Sequence, residues 1–114
     1  MQQVVLGKTG IAAHKNGFGA LPIQRISMEA AVALVRRAHQ GGMNFFDTAR
    51  FYTDSEEKLG EAFAGMRDEI YLATKTMALT AEDFWQQLEE SLKALKTDYV
   101  ALYQFHNPPF CPKP

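Results

Sequence analysis

Three times along this chain a short apolar run is followed by an amphipathic helical stretch, and a fourth apolar run closes the series. Each unit takes about 27–30 residues, the length of one strand and one crossover helix. Strands separated by a single helix pair in parallel through right-handed crossovers. The alternation therefore predicts a parallel sheet covered by helices, one domain or less in a chain of 114 residues.

The strand-like runs are Gly17 to Leu21, Met43 to Asp47, Ile70 to Lys75 and Asp98 to Phe105. Between the first two, Ser27 opens a helix with Ala30, Ala31, Leu34, Val35 and Ala38 on its apolar face, and Gly41-Gly42 stop it. A second helix opens at Ser55-Glu56-Glu57, with a hydroxyl cap and acids complementing the dipole, shows Leu59, Ala62 and Phe63, and ends near Gly65. Thr80 and Asp83 read as a capping box for a third, whose stripe is Phe84, Leu88, Leu92 and Leu95, with Trp85 packed beside it. Ahead of all this, Val4 to Leu6 and Ile11 to Ala13 flank a Gly7-Lys8-Thr9-Gly10 turn, the pattern of a β-hairpin. The proline-rich tail after Asn107 suits neither helix nor central strand.

Charge narrows the partners. A formal net charge of −1 offers no electrostatic basis for nucleic acid or an anionic membrane surface. No apolar run approaches the roughly 20 residues that cross a bilayer, and the first residues lack the charged head and apolar stretch of a secretory signal. One cysteine, Cys111, excludes an internal disulfide and a multi-thiolate metal site. The expectation is a cytoplasmic protein acting on small molecules, with no metal.

Four polar residues then stand out by position. Asp47, Lys75 and His106 each close an apolar run, and Tyr52 follows Asp47 on the outgoing loop. Side chains alternate along a strand. With Asp47, Lys75 and His106 facing inward, Met43, Phe45, Tyr71, Ala73, Leu102 and Gln104 share their face, and Phe46, Ile70, Leu72, Thr74, Tyr103 and Phe105 face the helices. One choice of parity thus gathers the ionisable groups at the carboxyl ends of neighbouring strands, where barrels of this type place their chemistry. A free phenol titrates near 10, too high for efficient proton donation at neutral pH, and a neighbouring ammonium favours the phenolate. Asp47 can hold such an ammonium in place, and His106 can hydrogen-bond a substrate oxygen. His14 and His39 lack such partners and read as surface residues. Asp47 and His106 without a third ligand make a weak metal site.

At these residues the chain resembles an aldo-keto reductase. The stretch Gly42-Met43-Asn44-Phe45-Phe46-Asp47-Thr48-Ala49-Arg50-Phe51-Tyr52, followed by Ser55-Glu56-Glu57-Lys58-Leu59-Gly60, is similar to the family's signature. Ala73-Thr74-Lys75 resembles its lysine strand, and Leu102-Tyr103-Gln104-Phe105-His106 its histidine strand. The resemblance implies a (β/α)8 TIM barrel and hydride transfer from NADPH to an aldehyde or ketone. It implies Tyr52 as general acid, Lys75 as the cation that activates it, Asp47 as support for the lysine, and His106 as the group orienting the carbonyl. Gly19, Ala20 and Asp47 fall where the family lines the nicotinamide pocket. His106-Asn107-Pro108-Pro109 resembles a bacterial branch in which some members carry a C-terminal iron–sulfur segment.

A complete barrel takes about 250 residues. Residues 1–114 are therefore expected to form an N-terminal half-barrel of about four strands and three helices behind a hairpin, with the C-terminal half, and most of the NADPH site, absent. Open strand edges and a half-covered inner face predict self-association into a homo-oligomer. The alternative to an enzyme is a non-catalytic half-barrel that serves in self-assembly or partner binding.

Overall fold

The computed structural model describes residues 2–107; the proline-rich tail, with Cys111, lies outside the described residues. It begins with an antiparallel hairpin of β1 (Gln3–Val5) and β2 (Ala12–His14), with Val4 opposite Ala13. Four parallel strands follow: β3 (Phe18–Gly19), β4 (Phe45–Asp47), β5 (Tyr71–Thr76) and β6 (Leu102–Phe105), hydrogen-bonded in that order. Between them run α1 (Met28–Gln40), α2 (Ser55–Ala62) and α3 (Ala81–Ala94). This is the strand–helix succession expected from the sequence, half of a (β/α)8 circuit.

Local chemistry accounts for most of the boundaries. Ser27 caps α1 by accepting from the Ala30 amide at 3.1 Å, and Thr80 caps α3 by accepting from Asp83 at 3.1 Å. Past α1 the chain turns through Gly42 at φ +107°, a conformation that suits glycine. Helix α2 departs from expectation. Its cap position is Asp54, which makes no side-chain cap bond, and the Ser55 hydroxyl turns into the interior instead. Between β3 and α1 an unforeseen 3-10 turn spans Leu21–Arg25, with Pro22 near its start supplying a suitable φ.

The core lies between the outer face of the sheet and the helices. Phe46 is fully buried, with Phe18 and Phe63 ring centroids 5.4 and 4.7 Å away. Leu72 and Ile70 of the next strand, Ala31 and Val35 of α1, and Leu59 of α2 complete it. The outward parity read from the sequence is thus the observed one, but Met43, expected on the inner face, lies before β4 begins and packs against this core instead. Helix α1 buries a narrower stripe than its periodicity implies, since Leu34 remains 47% exposed. Trp85 likewise stays largely in solvent, touching Phe84 edge-on at 5.2 Å.

At the amino ends of the strands Asn44 fastens the hairpin to the sheet. Its side chain accepts from the His14 amide at 2.6 Å and donates to the Ala12 carbonyl at 3.0 Å. His14, read as a surface residue, is buried beneath this junction. His39 is also mostly covered, edge-on to Phe63 at 5.8 Å. The hairpin thus closes the end of the sheet opposite the one where Asp47 and Lys75 emerge.

Candidate active site

Register places the inner-face polar groups at one rim. Gly19 pairs with Asp47, Asp47 with Ala73, and Lys75 with Gln104, so Asp47, Lys75 and Gln104 share the inner face within two residues of the carboxyl ends. Beyond the strands the pairing continues: Thr48 donates its amide to the Ala73 carbonyl at 2.8 Å, and Arg50 to the Lys75 carbonyl at 3.0 Å. The His106 amide donates to the Thr76 carbonyl at 2.9 Å. These bonds carry strand-like order out to the residues before Tyr52 and to His106 itself.

The four residues singled out by the sequence converge there. Lys75 Nζ donates to Asp47 Oδ2 at 2.9 Å and to the Thr48 carbonyl at 2.9 Å. The same ammonium stands 5.3 Å from the Tyr52 ring centroid. The Tyr52 ring in turn meets His106 edge-on, with centroids 5.3 Å apart. Two further residues complete the rim. Gln104 donates to Asp47 Oδ1 at 3.4 Å, so both carboxylate oxygens are engaged, and Phe51 presents its ring 6.2 Å from His106 while remaining 69% exposed. Gln104 was legible in the parity argument as an inward residue. Phe51 carried no such signal.

Electrostatics at the rim favour a neutral imidazole. Burial lowers the His106 pKa below its ordinary 6.5, the Lys75 charge lowers it further, and Asp47 opposes both. Its Nδ1 is buried without a hydrogen-bond partner. A histidine whose pKa falls on folding adds stability above its unfolded pKa, and that stability is lost as pH falls through the folded value. Proton NMR of His106 Cε1–H should therefore titrate with a midpoint below 6.5, and Lys75→Met should raise that midpoint. An unchanged midpoint in Lys75→Met would show that the ammonium does not act on the ring.

The residues proposed for the nicotinamide side differ in what they expose. Gly19 is exposed, and no atom lies within 4 Å of where a Cβ would stand. Ala20 is fully buried in the core, its amide donating to the Asp47 carbonyl at 2.8 Å and its carbonyl accepting from Ser55 Oγ at 3.0 Å. It supports the rim through its backbone, leaving Gly19 and the Asp47 carboxylate as the groups open to a ligand. Among the described residues no cluster of three or more His, Cys, Asp or Glu side chains could hold a metal ion. No described helix is long and apolar enough to span a membrane.

A parallel strand–helix succession with an acid, an amine, a phenol and an imidazole at its carboxyl rim defines the class: part of a TIM-type barrel, seen at the end where such barrels place their active sites. The aldo/keto reductase family model matches residues 10–111. The chain belongs to the aldo/keto reductase family. It is 35% identical to an L-galactose dehydrogenase of Arabidopsis thaliana over 90% of its own length and 37% of that protein's. It is 34% identical to the Bacillus subtilis aldo-keto reductase YhdN, over 95% of its length and 38% of the relative's. An aldo-keto reductase of Klebsiella pneumoniae, solved in complex with NADPH, superimposes with a TM-score of 0.86 at 28% identity, covering 97% of this chain and 41% of that one. The chain thus spans well under half the length of the relatives it matches.

Proposed function

We propose that this chain carries the proton-transfer half of an NADPH-dependent carbonyl reductase, acting on an aldehyde or ketone. The observation that carries the reading is the contact series Asp47–Lys75–Tyr52–His106 at one rim. Gly19, open where a side chain would stand, and the half-exposed Asp47 carboxylate suit the approach of a nicotinamide nucleotide. Relatives supply the precedent, since a neighbour of the same architecture was solved with NADPH. When bound, that cofactor supplies a hydride to the carbonyl carbon. The chain's own groups handle the oxygen. His106, neutral at pH 7, offers a donor that orients the carbonyl without adding a full charge. Tyr52 gives its hydroxyl proton to the oxygen as negative charge develops there. Lys75, anchored by Asp47 and Thr48, supplies the cation beside the ring that balances the charge left on the phenolic oxygen. The direct test is loss of NADPH absorbance with a reactive aldehyde; absence of turnover removes the reading for this chain.

A second reading rests on β3, which has β4 as its sole sheet neighbour among the described residues, and on the half-buried inner-face side chains Phe45, Tyr71 and Leu102. An uncovered edge and face of this kind recruit another β-surface. On this reading the chain self-associates whether or not it turns over substrate. Sedimentation at micromolar concentration should then give a mass above the monomer's 12.8 kDa. A compact monomer across that range sinks it.

A further inference from the structure

We propose that Glu56 is a positioning residue, whose buried carboxylate ties the strand bearing Lys75 to the loop bearing Tyr52. The sequence places Glu56 in the first turn of α2, where a carboxylate ordinarily faces solvent and complements the helix dipole. Instead it is 1% exposed, on the outer face of the sheet behind the rim. Its Oε2 accepts from Thr74 Oγ1 at 2.7 Å, and its Oε1 lies 3.1 Å from Nη1 of Arg50. Thr74 immediately precedes Lys75, and Arg50 lies two residues before Tyr52. The Arg50 amide also bonds the Lys75 carbonyl, so the strand and the loop are coupled both by backbone and through this one carboxylate.

Burial works against a charge in this position. Burial raises the Glu56 pKa, against the opposing pull of the Ser91 and Thr74 hydroxyls and of Arg50. A carboxylate whose folded pKa is raised contributes stability below its unfolded pKa and loses it as pH rises through the folded value. Ionising the group in place therefore costs stability, and a neutral isostere does not carry that cost. What the carboxylate provides is a fixed spacing between the strand bearing Lys75 and the loop bearing Tyr52.

The inference rests on Tyr52, Lys75 and His106 forming the site, but its test needs no turnover. In the full chain, the His106 Cε1–H resonance senses the ring current of Tyr52, and Tyr52→Leu sets its position when that ring is gone. Glu56→Gln is expected to move the resonance toward the Tyr52→Leu position while the thermal midpoint holds or rises. Thr74→Val, which removes only the donor hydroxyl, is expected to move it the same way and carries the test alone if the first variant does not fold. Glu57→Gln, at the exposed carboxylate on the same guanidinium, is expected to leave it in place. A wild-type resonance in both Glu56→Gln and Thr74→Val, or an equal shift in Glu57→Gln, overturns the proposal. Absence of NADPH oxidation by the unaltered chain would sink the reductase reading and leave this result legible.

Discussion

Tyr52→Phe is expected to lower carbonyl reduction by about 10²–10⁴-fold, the range in which a positioned general acid contributes to rate. At about 1.4 kcal/mol per tenfold, the barrier rises by roughly 3–5 kcal/mol. The substitution deletes one oxygen and keeps the ring, so the edge-on contact with His106 and the Lys75 ammonium at 5.3 Å from the ring have no steric reason to change. Steady-state kinetics should show the loss in kcat, with KM little altered, because the proton moves only as charge builds on the substrate oxygen. NADPH binding, read by fluorescence quenching, should persist. A variant that keeps more than about a tenth of the turnover would remove Tyr52 from the role of acid.

Phe46→Ala is expected to cost about 3–5 kcal/mol of folding stability, the usual loss for truncating a fully buried aromatic. The ring lies between Phe18 and Phe63 and carries the contact of β4 with the helix layer, so no neighbour can close the space without moving a backbone element. Domains are stable by about 5–15 kcal/mol in total. Against a total of that size, the variant should unfold at a much lower urea midpoint or fail to accumulate folded. Phe51→Ala is the control. That ring is 69% exposed, and its removal should change stability by no more than about 0.5 kcal/mol. Equal losses at the two positions would mean that the core is not where the structure puts it.

The close approach of α2 to α3 shows why some residues in the signature stretch serve packing alone. A Cβ on Gly60 would stand 2.5 Å from the Ala94 carbonyl oxygen and 2.9 Å from the Leu95 carbonyl carbon. Only a glycine lets the two helices touch at that point. Lys58 is a second case: its ammonium is buried and donates to the Ile23 carbonyl and to Asp54, each at 2.9 Å, pinning the 3-10 turn after β3 to α2. With Ser55 bonded to Ala20 and to Thr48, the start of α2 fastens the exits of three strands.

Much of the molecule was determined by residue order alone. Apolar periodicity laid out four strands and three helices, Ser27 and Thr80 marked two helix starts, and strand parity sent Asp47, Lys75 and Gln104 inward with Phe46, Leu72 and Thr74 outward. Those features depend on neighbours one to four residues apart, which a linear reading contains. Glu56, His14 and Ser55 were misread because their burial is decided by partners 18 to 35 residues away, where local rules for caps and dipoles have no reach. The sequence named the acid, the phenol, the amine and the imidazole. Only the tertiary structure decided how far apart they stand, because strand register and the course of the loop bearing Tyr52 are fixed by pairing between segments distant in the chain.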